Sequence, residues 1–320
     1  MNELADSFKP TYAGEHPLRL ANIISVITDK VKSGGPARAR AKLRSMYLAV
    51  DIGGTKTLLA AFDSKGKIQK ELKFPTPQNY ETFLTELDSN VKKLGVGDFR
   101  AAAVAVPGLL NRETGKVLAL GNLPWKNEPI EAEIERLVAC PVIIENDAKL
   151  AGLSEAKLLI KDFKRTIYIT ISTGIGIALI TDGIIDTKVG DLGGRGLLVE
   201  HNEKLVPWES FASGKAIFEK YGKRASDITD EEAWKLIAHN LAIGFIDLIA
   251  VLQPDVIVVG GGVGAHYKKF EKYLLKELKS YEVPMLPIPP IRQAQHAEEA
   301  VIYGCYELVK EKYGNALKTA

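Results

Sequence analysis

The segment YLAVDIGGTKTLLAAF, residues 47–62, contains two apolar runs separated by a short polar turn. The first run ends at Asp51, and Gly53-Gly54-Thr55-Lys56 precedes the second run. Short apolar runs bounded by glycine are typical of buried strands. The segment therefore predicts a strand, a tight turn and a second strand, with a carboxylate at the end of the first strand.

The residue types in this turn are suited to binding phosphate. Gly53 and Gly54 can adopt positive φ and carry no Cβ, so the backbone can approach a ligand closely. Successive N–H groups form an anion-binding concavity, to which Thr55 adds a hydroxyl and Lys56 a positive charge. Asp51 could hold Mg²⁺, directly or through water, since hard cations prefer oxygen ligands. The spacing is not that of a P-loop, and a plain hairpin with a glycine turn explains the segment equally well.

Two further glycine turns follow predicted strands. STGIG, residues 172–176, is a second hydroxyl-and-glycine turn, and VVGGGVG carries Gly260, Gly261 and Gly262. A tight strand-to-helix turn alone would explain the third segment. Three such turns at strand ends nevertheless favour a nucleotide with its phosphates in a cleft over three unrelated turns.

An acidic residue stands at another predicted strand end, in IIENDAKLAG. Asp147 could simply cap the following helix, because Asp is a preferred N-cap residue. It could also be a general base, since phosphoryl transfer to an alcohol needs a carboxylate that accepts the hydroxyl proton. Asn146 could hydrogen-bond a neighbouring hydroxyl.

From residue 47 onward, predicted strands alternate with predicted helices, which is typical of an α/β protein with a largely buried sheet. Helices are predicted near 79–95, from about 148, and over 208–221, 231–252, 267–280 and 298–312. VDIGGTKTLLAAF and TISTGIGIALI are similar strand–turn–strand units about 120 residues apart. Two similar halves facing a cleft would explain this weak repeat.

Composition narrows the functional classes. The 320 residues are 46% hydrophobic and carry a net charge of +2, and residues 1–45 hold eight basic and four acidic side chains. The rest of the chain therefore has no basic excess for nucleic acid. For residues 1–45 we favour a weakly ordered basic extension over a nucleic-acid-binding arm. Two cysteines, no apolar run of about 18 residues and no signal-peptide pattern predict a cytoplasmic protein without membrane spans.

Seven segments, in order, resemble the ROK family of sugar kinases and sugar-responsive repressors, within the actin/hexokinase/heat-shock ATPase superfamily. They are DIGGTK, VPGLLNRETG, GNLPW, ENDA, STGIGIALI, WESFASGKA and VIVVGGGVG. The resemblance covers residues 46–312 and implies a two-lobed α/β fold of the actin-like/hexokinase type, with a cleft between the lobes. It implies an N-lobe of residues 46–148 plus a C-terminal helix at about 298–320, and a C-lobe of 149–297.

The resemblance also implies site residues. Asp147 would be the base for the 6-hydroxyl of the sugar, and Asp51 would serve the Mg²⁺–phosphate network. The implied ATP-binding residues are Gly53, Gly54, Thr55, Lys56, Thr173, Gly174, Gly260, Gly261 and Gly262. The implied sugar-binding residues are Gly108, Asn122, Asn146, Asp147 and Glu209. The implied partners are Mg²⁺-ATP, a hexose (glucose before others) and a second copy of the chain.

One segment departs from the family pattern. The family usually carries GE-x-GH followed by CxCGxxGCxE, whose histidine and three cysteines bind a structural zinc. Here GDLGGRGLLVEHNEKLVPWESFASG has no cysteine, so we expect no structural zinc. Asp191 stands near the usual glutamate and Gly194 near the usual histidine. We interpret His201 as a local polar or surface residue rather than a sugar ligand.

Because this segment normally contributes to sugar binding, several alternatives stay open. The substrate could be an N-acetylated hexosamine, fructose or mannose, and polyphosphate could replace ATP as the donor. A non-catalytic sugar-sensing regulator is a further alternative, although residues 1–45 look too short for a winged helix-turn-helix. A hydrolytic ATPase is disfavoured by GNLPW and ENDA, which match sugar contacts.

Overall fold

A computed structural model describes residues 46–296 and 299–314 of the chain. The predicted N-terminal extension and the end of the predicted last helix lie outside the described residues.

The strands are β1 Met46–Ile52, β2 Lys56–Phe62, β3 Ile68–Pro75, β4 Phe99–Val106, β5 Gly108–Asn111, β6 Lys116–Leu120, β7 Val142–Asn146, β8 Arg165–Ile171, β9 Ile175–Thr181, β10 Ile184–Ile185, β11 Leu198–His201, β12 Lys204–Pro207, β13 Val256–Gly260 and β14 Ile291–Gln293. The helices are α1 Tyr80–Leu94, α2 Ile130–Val138, α3 Asp147–Leu159, α4 Glu209–Ala212, α5 Gly214–Tyr221, α6 Glu231–Leu252, α7 Gly261–Gly264, α8 Tyr267–Lys279 and α9 Ala300–Tyr313.

Two five-stranded sheets have equivalent topology. Their strand orders are β3-β2-β1-β4-β7 and β10-β9-β8-β13-β14. In each sheet the central strand (β1 or β8) pairs antiparallel with the strand that follows it in sequence and parallel with a later strand. The weak internal repeat in the sequence therefore reflects two sheets built in the same way, and the predicted two-lobed fold class is confirmed.

The hydrophobic core has three parts that follow the layers of the fold. The outer face of the first sheet packs on α1 and α2, and that of the second sheet on α6 and α8. The third part lies between the sheets and contains α3 and α9. Its side chains come from both sheets and both helices; examples are Tyr47, Ala49, Leu150, Tyr168, Ala178, Ile302 and Val309. The exact division into lobes at residues 148 and 297 stays a prediction.

Strand β1 shows why a buried strand ends in a carboxylate. Leu48, Val50 and Ile52 face the outer core, whereas Tyr47 and Ala49 face the layer between the sheets. Because successive side chains alternate between the two faces of a strand, Asp51 continues the inner face. Asp51 therefore points into the space between the two sheets.

Helix α6 is the one helix among the described residues that is long and apolar enough to cross a membrane, at 22 residues. His239, Asn240 and Asp247 interrupt it, so it holds no continuous apolar run of about 18 residues. Its residues Ile237, Leu241 and Phe245 are buried in the core of the second sheet. The apolar composition is accounted for by that packing, because a core helix passes the same test of length and composition.

Three local features differ from the sequence-based predictions. The helix expected over 208–221 is interrupted at Ser213, whose backbone is extended and whose hydroxyl accepts the N–H of Ala216 to cap α5. The hairpins β5–β6 and β11–β12 were not predicted. The second hairpin turns at Asn202 and Glu203, both at positive φ (52° and 61°), without the glycine that usually marks such a turn.

Candidate active site

The carboxyl ends of the parallel strands β1, β4 and β7 meet at one edge of the first sheet. Asp51 in β1 lies opposite Ala105 in β4, which in turn lies opposite Glu145 in β7. Asn146 and Asp147 follow immediately. In α/β sheets, ligands bind beyond the carboxyl ends of the strands. The structure therefore brings the two predicted functional carboxylates to one edge.

Asn146 organises the junction between β7 and α3. Its side-chain oxygen accepts the N–H of Lys149 at 3.2 Å, and its amide donates to the carbonyl of Gly108 at 3.3 Å. Asn146 is thus the N-cap of α3, and Asp147 is the first helical residue. The capping role considered for Asp147 belongs to its neighbour, and the Asp147 carboxylate accepts the N–H of Ala148 at 2.8 Å instead.

Both carboxyls have raised pKa values. Burial raises the pKa of Asp147 to about 6, against the opposing effect of the Ala148 N–H. Burial, followed by repulsion from Asp147, raises the pKa of Asp51 to about 7. Two nearby carboxylates carry uncompensated negative charge, which a divalent cation would relieve. Mg²⁺ is commonly held by one or two carboxylates together with substrate phosphates, so Asp51 fits that ion.

The first glycine turn is held by internal hydrogen bonds. The N–H of Gly53 donates to the carbonyl of Lys56 at 3.0 Å, and the hydroxyl of Thr76 donates to the carbonyl of Gly53 at 2.7 Å. Neither glycine has positive φ, so the turn does not use that conformational freedom. Close packing requires glycine at both positions. A Cβ on Gly53 would lie 2.7 Å from the carbonyl oxygen of Lys56, and a Cβ on Gly54 would lie 2.5 Å from Cβ of Asn122. The turn therefore brings Asn122 next to the first loop.

The second glycine turn contacts Glu209. Within the turn the N–H of Ser172 donates to the carbonyl of Gly174 at 2.8 Å, and Thr173 is exposed. The Glu209 carboxylate accepts the N–H of Ile175 at 3.3 Å, and a Cβ on Gly174 would lie 2.9 Å from it. The structure therefore places a predicted sugar-binding residue against a predicted phosphate loop.

The third glycine segment lies beside the second, because Gly260 in β13 is paired with Thr170 in β8. A Cβ on Gly260 would lie 2.2 Å from the hydroxyl of Tyr168, and Gly261 has positive φ of 80°. Gly262 has open space around its Cα. The first two glycines are thus required by the packing and the turn, whereas Gly262 is the one that leaves room for a ligand.

An open cleft of about 620 Å³ adjoins the first sheet where β1 ends at Asp51. Among the predicted site residues, Asp51 and Lys56 line it. Lys73 and His296 also line it and were not predicted. The backbone at His296 is held by Glu155, whose buried carboxylate accepts its N–H at 2.7 Å.

The segment that departs from the family pattern, residues 190–214, contains the β11–β12 hairpin and α4. His201 ends β11, is half-buried and stacks on Phe211 with ring centroids 3.9 Å apart. Gly194 is buried, and a Cβ there would lie 2.8 Å from Cβ of Ile175. Asp191 is engaged by Arg112 and by a lysine of α3.

Comparison with known proteins gives a match over most of the chain. The model of the ROK family matches residues 47–312. A glucokinase of Streptomyces coelicolor is 28% identical over 316 residues, which cover 83% of this chain and 98% of that protein. An N-acetylmannosamine kinase of Escherichia coli is 32% identical over 269 residues, which cover 75% of this chain and 91% of that protein.

Solved structures share the fold. A ROK family glucokinase from Streptomyces griseus, in complex with glucose and AMPPNP, superposes with a TM-score of 0.70 at 22% identity and covers 83% of this chain and 99% of its own. A ROK family transcriptional regulator superposes with a TM-score of 0.73 at 18% identity, covering 83% of this chain and 78% of its own. At these identities the likeness establishes the fold alone.

Proposed function

The chain belongs to the ROK family and is a sugar kinase, and we propose that it transfers the γ-phosphoryl group of ATP to the 6-hydroxyl of glucose. The observation that carries this proposal is Asp147. Its carboxyl has a pKa raised to about 6 and lies at the sheet edge where Asp51 and Asn146 also meet. A general base works best when its pKa lies near the operating pH.

In the proposed reaction, Asp147 accepts the proton of the sugar hydroxyl as that oxygen attacks the γ-phosphorus of ATP, and the bond from that phosphorus to the bridging oxygen breaks to release ADP. At neutral pH the carboxyl is mostly ionised, because its pKa of about 6 lies below that pH. Phosphoryl transfer depends mainly on positioning and charge stabilisation, so the protein needs little further chemistry. The hydrogen bond from the side chain of Asn146 to Gly108 would hold the sugar-binding edge in place.

Residues from both halves of the chain would orient the two substrates. We assign the sugar hydroxyls to Gly108, Asn122, Asn146 and Glu209. We assign the phosphates to the turn of residues 53–56 and to Thr173 and Gly174, and the adenosine to residues 260–262. Bound Mg²⁺ would neutralise phosphate charge, and Asp51 would hold it, directly or through water.

The first test is an ADP-release assay with glucose, mannose, fructose, N-acetylglucosamine and N-acetylmannosamine, with and without Mg²⁺. We expect Mg²⁺-dependent turnover with glucose. Asp147→Asn should lower kcat by about 10²–10⁴-fold while the sugar still binds, because only the proton acceptor is lost. Asp162→Asn, at an exposed carboxylate, is the matched control and should leave kcat unchanged.

Turnover of Asp147→Asn within a few-fold of the unmodified protein would overturn the assignment of the base. Sugar binding detected by calorimetry without turnover from ATP or polyphosphate would overturn the kinase proposal and favour a sugar-sensing regulator. A gel-shift assay with genomic DNA fragments would then test that regulator directly.

N-acetylmannosamine is the second candidate substrate. The relative named for that sugar is 32% identical to this chain, against 28% for the glucokinase. Preference for the N-acetylated sugar in the same assay would replace glucose without changing the proposed roles of Asp147 and Asp51. A homodimer and a cytoplasmic location stay predictions.

A further inference from the structure

Four charged side chains form a network around the junction of β7 and α3. The Arg112 guanidinium donates to both carboxylate oxygens of Glu145, at 2.9 and 2.6 Å. It also donates to both oxygens of Asp191, at 2.9 and 3.0 Å. Lys149 Nζ lies 2.9 Å from Asp191 Oδ1 and donates to the carbonyl of Asp186 at 2.7 Å. Two positive and two negative charges are therefore joined in one chain of contacts.

The network is largely withdrawn from solvent. The side chain of Lys149 is 0% exposed and that of Glu145 is 6% exposed. Buried charges are tolerated when they are paired and hydrogen-bonded, and removal of one partner leaves the others uncompensated. The four side chains are therefore expected to respond to mutation as a unit.

The position of the network relates it to the proposed base. Glu145 and Lys149 lie two residues before and two residues after Asp147, and Glu145 also accepts the N–H of Asn146 at 2.7 Å. Arg112 follows β5, and its other partner belongs to the segment of residues 186–191 (the 186–191 segment). One arginine thus joins the β5–β6 hairpin, the base-bearing junction and a segment from the second half of the chain.

We propose that Arg112 is a positioning residue, which holds the 186–191 segment against the β7–α3 junction and thereby fixes the carboxylate of Asp147. The expected effect of Arg112 on kcat rests on the proposed function, whereas its role in holding the 186–191 segment against the junction does not. Both oxygens of Asp191 are engaged, so Asp191 belongs to this network.

The planar geometry of its guanidinium explains why position 112 should require arginine rather than lysine. A planar guanidinium can serve two carboxylates at once through paired donors, whereas a lysine is a single point charge. Displacement of a reacting group by about 1 Å can cost about 100-fold in rate. Arg112→Lys keeps the positive charge but loses the paired N–H donors, so it should lower kcat more than it weakens substrate binding.

The test compares Arg112→Lys, Asp191→Asn and the double variant with the unmodified protein. For Arg112→Lys we expect kcat per folded molecule to fall about 10- to 100-fold, with the Kd for sugar and the KM for ATP changing less than about three-fold. The effects of the single variants should combine to less than their product, because they act through one network. Amide hydrogen exchange at 186–191 should become about tenfold faster in each variant.

Arg136→Lys is the matched control, because Arg136 pairs with Glu133 on the surface with its side chain 71% exposed. It should leave kcat and exchange at 186–191 unchanged. If Arg112→Lys does not fold, Asp191→Asn alone carries the test, since it keeps the Arg112–Glu145 pair.

A normal kcat per folded molecule in a variant that is merely less stable would overturn the positioning role. If the unmodified protein phosphorylates no sugar, the proposed function fails, and hydrogen exchange still decides the present inference. Unchanged exchange at 186–191 in both single variants would then overturn it.

Discussion

Single carboxylates determine the chemistry that this fold can perform. Asp51 lies on the inner face of β1 because strand side chains alternate, and Asp147 is free of capping because Asn146 performs that function. Their raised pKa values arise from burial, and for Asp51 also from the neighbouring carboxylate. The pH dependence of activity and of stability therefore both follow from these two residues.

Activity should fall at acidic pH as Asp147 becomes protonated. The base must be ionised, and its pKa is about 6 rather than 3.8. Below that value we expect kcat/KM for the sugar to fall about tenfold per pH unit, because one proton inactivates the base. A pH profile between 4.5 and 8, with circular dichroism to verify folding at each pH, measures this. A profile that stays flat down to pH 5 would contradict the assignment.

Replacing Asp51 by Asn should stabilise the protein at high pH. A folded-state pKa of about 7, above the usual 3.8, means that the neutral carboxyl favours folding at low pH. That contribution is lost as the pH rises from about 4 to about 7, because the buried group then ionises. We expect Asp51→Asn to raise the free energy of unfolding by about 4 kcal/mol at pH 8 and by only about 0.5 kcal/mol at pH 4.

Urea unfolding in the presence of a metal chelator measures this difference. Asp162→Asn is again the control, since its carboxylate is exposed and should give no pH-dependent difference. Equal stability of Asp51→Asn and the unmodified protein at pH 8 would show that Asp51 is not held in an unfavourable ionised state.

At the scale of elements, the packing of α9 on α3 supports the site. A Cβ on Gly304 of α9 would lie 1.9 Å from the carbonyl oxygen of Leu150 in α3. The two helices are therefore in backbone contact between the sheets, and α3 carries Asp147 at its first position. Because Gly304 has no side chain, α9 can pack directly on α3, the helix that begins at Asp147.

Gly304→Ala should therefore destabilise the protein by about 2–4 kcal/mol, because the backbones must separate to admit a methyl group. Thermal and urea unfolding measure the loss. Gly121→Ala is the control, since nothing lies within 4 Å of the added Cβ, and it should change stability by less than about 0.5 kcal/mol. A loss of similar size in both variants would argue against close packing of α9 on α3.

The elements that the sequence predicted are those with long apolar periodicity, such as β1, β4, α1 and α6. The hairpins β5–β6 and β11–β12 escaped prediction, although β7 and β13 are equally short and were predicted; the turn of the second hairpin lacks the usual glycine. The carboxylates at strand ends were predicted. The network of Arg112 was not, since its partners are distant in sequence and meet only through the pairing of strands and loops.

At the scale of the whole molecule, two similar sheets present their glycine turns and carboxylates from separate halves of the chain. Four of the five proposed sugar residues come from residues 108–147, in the half of the chain that holds the first sheet, and the second and third glycine turns follow strands of the second sheet. A ligand that contacts both halves would couple them. Stability in the presence of ligands therefore reports on the site independently of turnover.

Glucose and AMPPNP, a nucleotide that does not transfer its γ-phosphoryl group, should each stabilise the folded state. Binding at a free concentration of about 100 times Kd adds about 2.7 kcal/mol to the free energy of unfolding. If the two ligands share one site between the halves, their joint effect should exceed the sum of the separate effects by about 1–3 kcal/mol. Urea unfolding with each ligand, both ligands and neither measures this coupling. A strictly additive result would show that the two ligands bind without coupling and contradict the expected coupling of the two halves. Stabilisation by N-acetylmannosamine in place of glucose would change only the identity of the substrate.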